Sequence, residues 1–143
     1  MKINKIKENG LYAIYCNKEY ELIIRENKYL LFSTDNEDFE KNGFTFYEDA
    51  SGNIDKDMFI KKVNSEEIDE AYNVRMYGVY KGHEFFIMRE NNGEVLITIS
   101  SPREVEIAKD LDFKFVEPFV YDKKVLIDDL DEIIEKQEKV YLD

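Results

Sequence analysis

Few side chains in this 143-residue chain stand where they could do chemistry, and each has a plainer reading beside it. His83 is the only histidine and Cys16 the only cysteine. A histidine base needs a nucleophile within hydrogen-bond reach. His83 follows the turn-like pair Lys81-Gly82 and reads as a surface turn residue. Cys16 ends a strand-like run between Tyr15 and Asn17 and reads as a packed, inert thiol with no activating group beside it. The stretch from Asp49 to Asp57 sets oxygen-bearing side chains at alternate places, as a calcium loop does. Its glycine, however, stands fourth where the loop needs it sixth. At the twelfth place Ile60 cannot supply the bidentate carboxylate. A plain hairpin loop is the expectation, with no metal and no cofactor. No Gly-rich phosphate loop, nucleophile elbow, zinc-protease helix or paired-cysteine motif is present.

Carboxylates are what the chain has in surplus. Asp and Glu number 32 against 20 Lys and Arg, a net charge of −12. A pair of carboxylates hydrolyses a glycoside only when the two occupy distinct environments in one cleft. Nothing in the sequence singles out such a pair, so no enzyme is expected. The acids gather instead in runs. Asp35, Glu37 and Asp38 stand together with Glu40, and Glu66 and Glu67 stand with Asp69 and Glu70. Asp110, Asp112 and Glu117 form a weaker run, and Asp128, Asp129, Asp131, Glu132 and Glu135 the densest. An acid near a helix start gains about 0.3–1 kcal/mol from the dipole, which accounts for one or two per helix. The rest repel one another. A solvated face kept for solubility is one reading. A docking surface for a basic protein is the other, with Asp35, Glu37, Asp38, Glu66, Glu67, Asp128, Asp129, Asp131, Glu132 and Glu135 as candidate partner-binding residues. Tyr12, Tyr72, Tyr77, Tyr121 and Tyr141 are candidate aromatic anchors. The same field repels nucleic acid and anionic lipid.

The elements that would position these residues recur. Ala13–Ile23 lies over Gly78–Met88, pairing Tyr15 with Tyr80, Glu19 with Glu84 and Tyr20 with Phe85. Arg25-Glu26-Asn27 matches Arg89-Glu90-Asn91 after a one-residue offset, which a β-bulge in the first copy would absorb. Gly43–Glu48 resembles Asp112–Glu117, and Phe59–Asn73 lies without gaps over Tyr121–Glu135. Blocks in fixed order point to a tandem duplication. A unit of about 65 residues is short for an independent core, so the copies, 1–73 and 74–143, are expected to pack as one pseudo-symmetric body.

Alternation in Glu19–Arg25 marks a half-buried strand, and Asn92-Gly93 marks a tight hairpin. Ser101-Pro102-Arg103-Glu104 opens a helix. Asn64 and Asp128 are expected to cap a closing helix in each copy, with Leu130, Ile133 and Ile134 at helical spacing. The fold expected is α+β. Each copy would be a small curled antiparallel sheet, an SH3-like half-barrel, with two short helices.

Met1–Gly10 is polar and lacks signal-peptide character, and no apolar run is long enough to span a bilayer. With a single cysteine, a cytoplasmic bacterial protein is the expectation. In its acidity, small size, duplicated layout and want of an enzyme motif, the chain resembles the immunity proteins of polymorphic and contact-dependent toxin systems. The resemblance implies a stoichiometric inhibitor that covers a cognate basic toxin domain, often a nuclease. The alternative is a tandem adaptor module that binds a peptide or small ligand without catalysis.

Overall fold

The computed structural model describes residues 6–99 and 101–143. Met1–Lys5, part of the polar opening stretch, and Ser100, the expected end of a strand, lie outside the described residues. The first stretch runs β1 (Gly10–Tyr15), β2 (Lys18–Arg25), β3 (Lys28–Ser33), α1 (Asn36–Lys41), β4 (Thr45–Glu48) and β5 (Ile54–Val63). The second runs β6 (Glu70–Tyr80), β7 (His83–Asn91), β8 (Glu94–Ile99), α2 (Val105–Asp110), β9 (Lys114–Glu117) and β10 (Val120–Leu126), and β11 (Glu132–Lys139) follows.

This corrects the expected fold class. Instead of two small half-barrels with two helices each, the eleven strands form one antiparallel sheet. Its order is β4-β5-β3-β2-β1-β6-β7-β8-β10-β9, with β11 paired to β6. The described α-helices are α1 and α2 alone. The closing helices expected after Asn64 and Asp128 are single 3-10 turns, Ser65–Glu67 and Ile127–Asp129, and strands follow both. The physical reason lies in residue type and in partners. Ile133 and Ile134 are β-branched, which suits a strand as well as their spacing suits a helix. β6 offers the backbone groups that a short isolated helix would lack.

Backbone proximity sorts the residues into two compact units. One takes Gly10–Asn73 with Glu138–Asp143, the other Val74–Gln137 with the segment ending at Asn9. In the Gly10–Asn73 unit the core is built from Ala13, Tyr20, Leu22, Leu31, Phe44, Phe59, Val63 and Ala71. Alternation along β2 places Tyr20 and Leu22 in that core and turns Arg25 out. In the Val74–Gln137 unit Val74, Met76, Phe85, Ile87, Val95, Ile97, Ile99, Phe113, Val125 and Leu130 are buried. There Gly78 is closely packed, and a Cβ on it would lie 3.0 Å from Leu130 Cδ1.

Turns and hydrogen bonds recur at matching places. Cys16-Asn17 and Lys81-Gly82 both have positive φ and close the β1–β2 and β6–β7 hairpins. Glu26-Asn27 and Asn92-Gly93 do the same one hairpin later. These are the conformations that right-twisted two-residue hairpins favour. The amide of Phe44 donates to the Asp38 carbonyl after α1, and that of Phe113 to the Ala108 carbonyl after α2. The Asp69 amide donates to the Ile14 carbonyl, and the Asp131 amide to the Val79 carbonyl. The bulge expected before Arg25 is found elsewhere, in β7 between Ile87 and Arg89. Arg89-Glu90-Asn91 is therefore not the structural match of Arg25-Glu26-Asn27.

Candidate functional site

The expected acidic residues differ in burial and in what they bond. Asp38 is the correction. Its side chain is fully buried, so it presents nothing to a partner. Tyr20 and Ser33 hydroxyls donate to it at 2.7 and 2.6 Å, the Lys18 ammonium at 2.9 Å and the Asn42 amide at 2.8 Å. Burial pushes this carboxyl up, but the donors outweigh it and hold its pKa at about 2. Burial, followed by the bond to Asp38, pushes the Tyr20 hydroxyl up. Its bonds to Asp35 and then Asp38 push Lys18 up. Asp35 caps α1 by accepting the Glu37 amide at 2.9 Å and also pairs with Lys18, and the Lys18 bond holds its carboxyl below the usual range. The network fastens α1 to β2 and β3.

Glu67 accepts the Asn64 amide in a capping box, and Glu135 pairs with Lys7 and Gln137. Partial burial opposes them, yet the Gln137 and Lys7 donors hold the Glu135 carboxyl below its usual range. Glu37 on α1, Glu66 in its 3-10 turn, Asp128 and Asp129 in theirs, Asp131, and Glu132 on β11 are exposed. Asp35, Glu37, Glu66 and Glu67 belong to the Gly10–Asn73 unit, and Asp128 to Glu135 to the other. Of the candidate anchors, Tyr12 and Tyr72 stack in the interior at 6.5 Å, and the Tyr72 hydroxyl bonds Glu19. Tyr141 is 82% exposed.

His83 is exposed at the start of β7. Cys16 is exposed in a turn and not packed as expected, because positive φ at Cys16 and Asn17 carries the chain away from the core. Asp49 spends its carboxylate on the Ser51 and Asn53 amides, as a hairpin loop does. Among the described residues no cluster of His, Cys, Asp and Glu is arranged to hold a metal ion.

What the sequence reading missed is a cavity of about 570 Å³ in the Val74–Gln137 unit, on the face of the sheet opposite Phe85, Ile87 and Ile97. Strand register puts one row of its lining in order. Tyr77 on β6 faces Phe86 on β7, Phe86 faces Thr98 on β8, and Thr98 faces Asp122 on β10. The Tyr77 and Phe86 rings meet edge to face at 5.5 Å. The Lys136 ammonium lies 4.3 Å from the Tyr77 centroid and pairs with Glu84 at 3.1 Å, while the Arg75 guanidinium lies 5.5 Å from the Phe86 centroid. The lining also holds Glu104, Glu117 and Asp122. Burial pushes the Glu104 carboxyl up. Asp122 Oδ1 is buried and receives no hydrogen bond. The Thr98 hydroxyl donates to main-chain carbonyls instead.

The corresponding row in the other unit is Tyr12, Glu21, Phe32 and Ile60. There Phe32 and Tyr47 meet edge to face at 6.5 Å. The second unit has Thr98 and Val116 at those two places. The cavity thus lies where the first unit has a ring pair, and its orphan carboxylate lies where the first has Ile60. The signal was present in the repeated blocks, as mismatches in size at otherwise matching strand positions.

The family model described as Uncharacterised conserved protein UCP033725 matches residues 7–141. The chain belongs to this family. No curated protein and no solved structure matches it. The family match spans both stretches of strands, so the cavity and the Asp38 network both fall within it. Among the described residues no helix is long and apolar enough to cross a membrane.

Proposed function

We propose that this protein acts by stoichiometric binding of a basic protein partner, as an immunity-type inhibitor of a toxin domain would, and not by catalysis. The observation that carries the reading is the exposure of Glu37, Glu66, Asp128, Asp129, Asp131 and Glu132 on a chain of net charge −12. Such a surface draws a cationic partner and repels nucleic acid. The partner's phosphate-binding lysines and arginines would be the groups covered. The cytoplasm is the proposed site of action, and a single unpaired, exposed cysteine fits a reducing compartment. A ligand-binding adaptor is the second reading, favoured by the cavity beside Tyr77 and Phe86.

The test is to identify the protein bound in the native host and to measure its association rate against ionic strength. A partner with a basic surface is expected. Its rate should fall by about tenfold or more between low and high salt, and further with Asp129→Lys, Asp131→Lys and Glu132→Lys together. A partner of acidic surface, or a rate indifferent to salt, would overturn the reading.

A further inference from the structure

We propose that the cavity lined by Tyr77, Phe86, Thr98, Glu104 and Asp122 is a receptor for a guanidinium, the arginine side chain of a partner protein. It rests on the basic-partner reading and names the place where that partner's anchor would seat. Neighbouring strands stand about 4.8 Å apart. Phe86 and Asp122, two strands apart with only Thr98 between them, therefore bracket a gap of roughly 10 Å. One wall is aromatic and the other carboxylate.

That pairing of walls selects a flat cation. A guanidinium stacks on an aromatic face and donates two parallel N–H bonds to a carboxylate, whereas an ammonium does neither as well. Arg75 already shows that the Phe86 ring accepts a guanidinium. Asp122 puts a carboxylate in the opposite wall, and its Oδ1, covered from solvent, has no donor within the chain. Charge agrees, since the lining holds Glu84, Glu104, Glu117 and Asp122 against Arg75. After Glu84 is paired with Lys136, the remainder is still negative. The shape is particular to this unit, because the matching positions elsewhere carry Phe32, Tyr47 and Ile60.

The experiment is an NMR titration of the full chain at low salt with N-acetyl-arginine amide. Its neutral isostere N-acetyl-citrulline amide and N-acetyl-lysine amide serve as comparisons. Saturable shifts are expected at the Phe86, Thr98, Glu104 and Asp122 amides, with arginine bound about tenfold tighter than citrulline and tighter than lysine. Asp122→Asn should weaken arginine binding by about tenfold, and Arg75→Gln, which removes a competing cation, should strengthen it. Equal affinity for citrulline, indifference to Asp122→Asn, or shifts spread over the exposed acids of β11 would overturn the proposal. If the cavity takes none of the three probes, the receptor is disproved. Salt-dependent capture of a basic partner would still be judged by its own measurement.

Discussion

On its buried side α1 carries a carboxylate, Asp38, and α2 carries a methyl, Ala108, at the carbonyl that accepts the amide of the following buried phenylalanine. Every donor to Asp38 from β2 and β3 changes with it. Tyr20 corresponds to Phe85, which lacks the hydroxyl. Ser33 corresponds to Ile99, and Lys18 to His83. The ring packing is kept: Tyr20 stacks on Phe44 at 5.2 Å, and Phe85 meets Phe113 at 4.8 Å. The two regions therefore solve one packing problem in two chemistries. A half-converted region would bury an unmet charge, so the residues have to differ as a set. On the opposite face the contrast runs the other way. There the first unit is filled by Phe32, Tyr47 and Ile60, and the second is opened and made polar by Thr98, Val116 and Asp122. Polarity sits under the helix in one unit and on the outer face in the other.

Breaking the buried network alone should have the largest effect. Asp38→Ala leaves Tyr20 and Ser33 without their acceptor and Lys18 with Asp35 alone, and is expected to cost about 3–5 kcal/mol in denaturant unfolding. Converting the whole set with Lys18→His, Tyr20→Phe, Ser33→Ile and Asp38→Ala should recover on the order of 2 kcal/mol of that loss, since the buried donors leave with their acceptor and the remaining donor, Asn42, is exposed to water. An additive result would show that the four positions do not act together.

Acid unfolding sharpens the same contrast. Asp38 has its folded pKa depressed to about 2 from 3.8, so its contribution is complete above about pH 4 and is lost as pH falls through 2. The contribution is on the order of 2 kcal/mol. Asp38→Ala should flatten the stability profile between pH 4 and pH 2 by about that much. A profile unchanged by the substitution would remove the carboxylate from the stability argument.

Next in size is the seat of Leu130. Gly78→Ala brings a methyl to within 3.0 Å of Leu130 Cδ1, whereas the matching strand position in the first unit already carries the buried Ala13. A loss of about 1–3 kcal/mol is expected, with partial rescue by Leu130→Val in the same variant. The smallest effect concerns the orphan carboxylate. Asp122→Ile copies Ile60 and should raise stability by about 1 kcal/mol, because a buried oxygen without a donor is removed.

Local signals in the sequence were legible where a single residue decides a conformation. Asn92-Gly93 makes its turn, and Ser101 caps the 3-10 turn Pro102–Glu104 that leads into α2 by accepting the Arg103 amide. What failed was anything decided by a distant partner. Ile133 and Ile134 fit a helix by spacing, and only the hydrogen-bonding edge of β6 makes their segment a strand. Asp38 looked like its exposed neighbours Glu37 and Glu40, because nothing local tells a solvated acid from one that meets Tyr20, Ser33 and Lys18. The cavity escaped for a related reason. Its lining comes from five strands and the turn at Glu104, and only the register between strands brings Phe86, Thr98 and Asp122 into one row.

The contrast between the two outer faces is tested most directly by writing one onto the other. Thr98→Phe, Val116→Tyr and Asp122→Ile together give the second unit the first unit's ring pair and apolar floor. Titrated with N-acetyl-arginine amide, this variant should keep its thermal stability and lose the saturable shifts that the native chain shows at Phe86 and Glu104. Undiminished arginine binding by a folded triple variant would contradict the assignment of the cavity as the cation's seat.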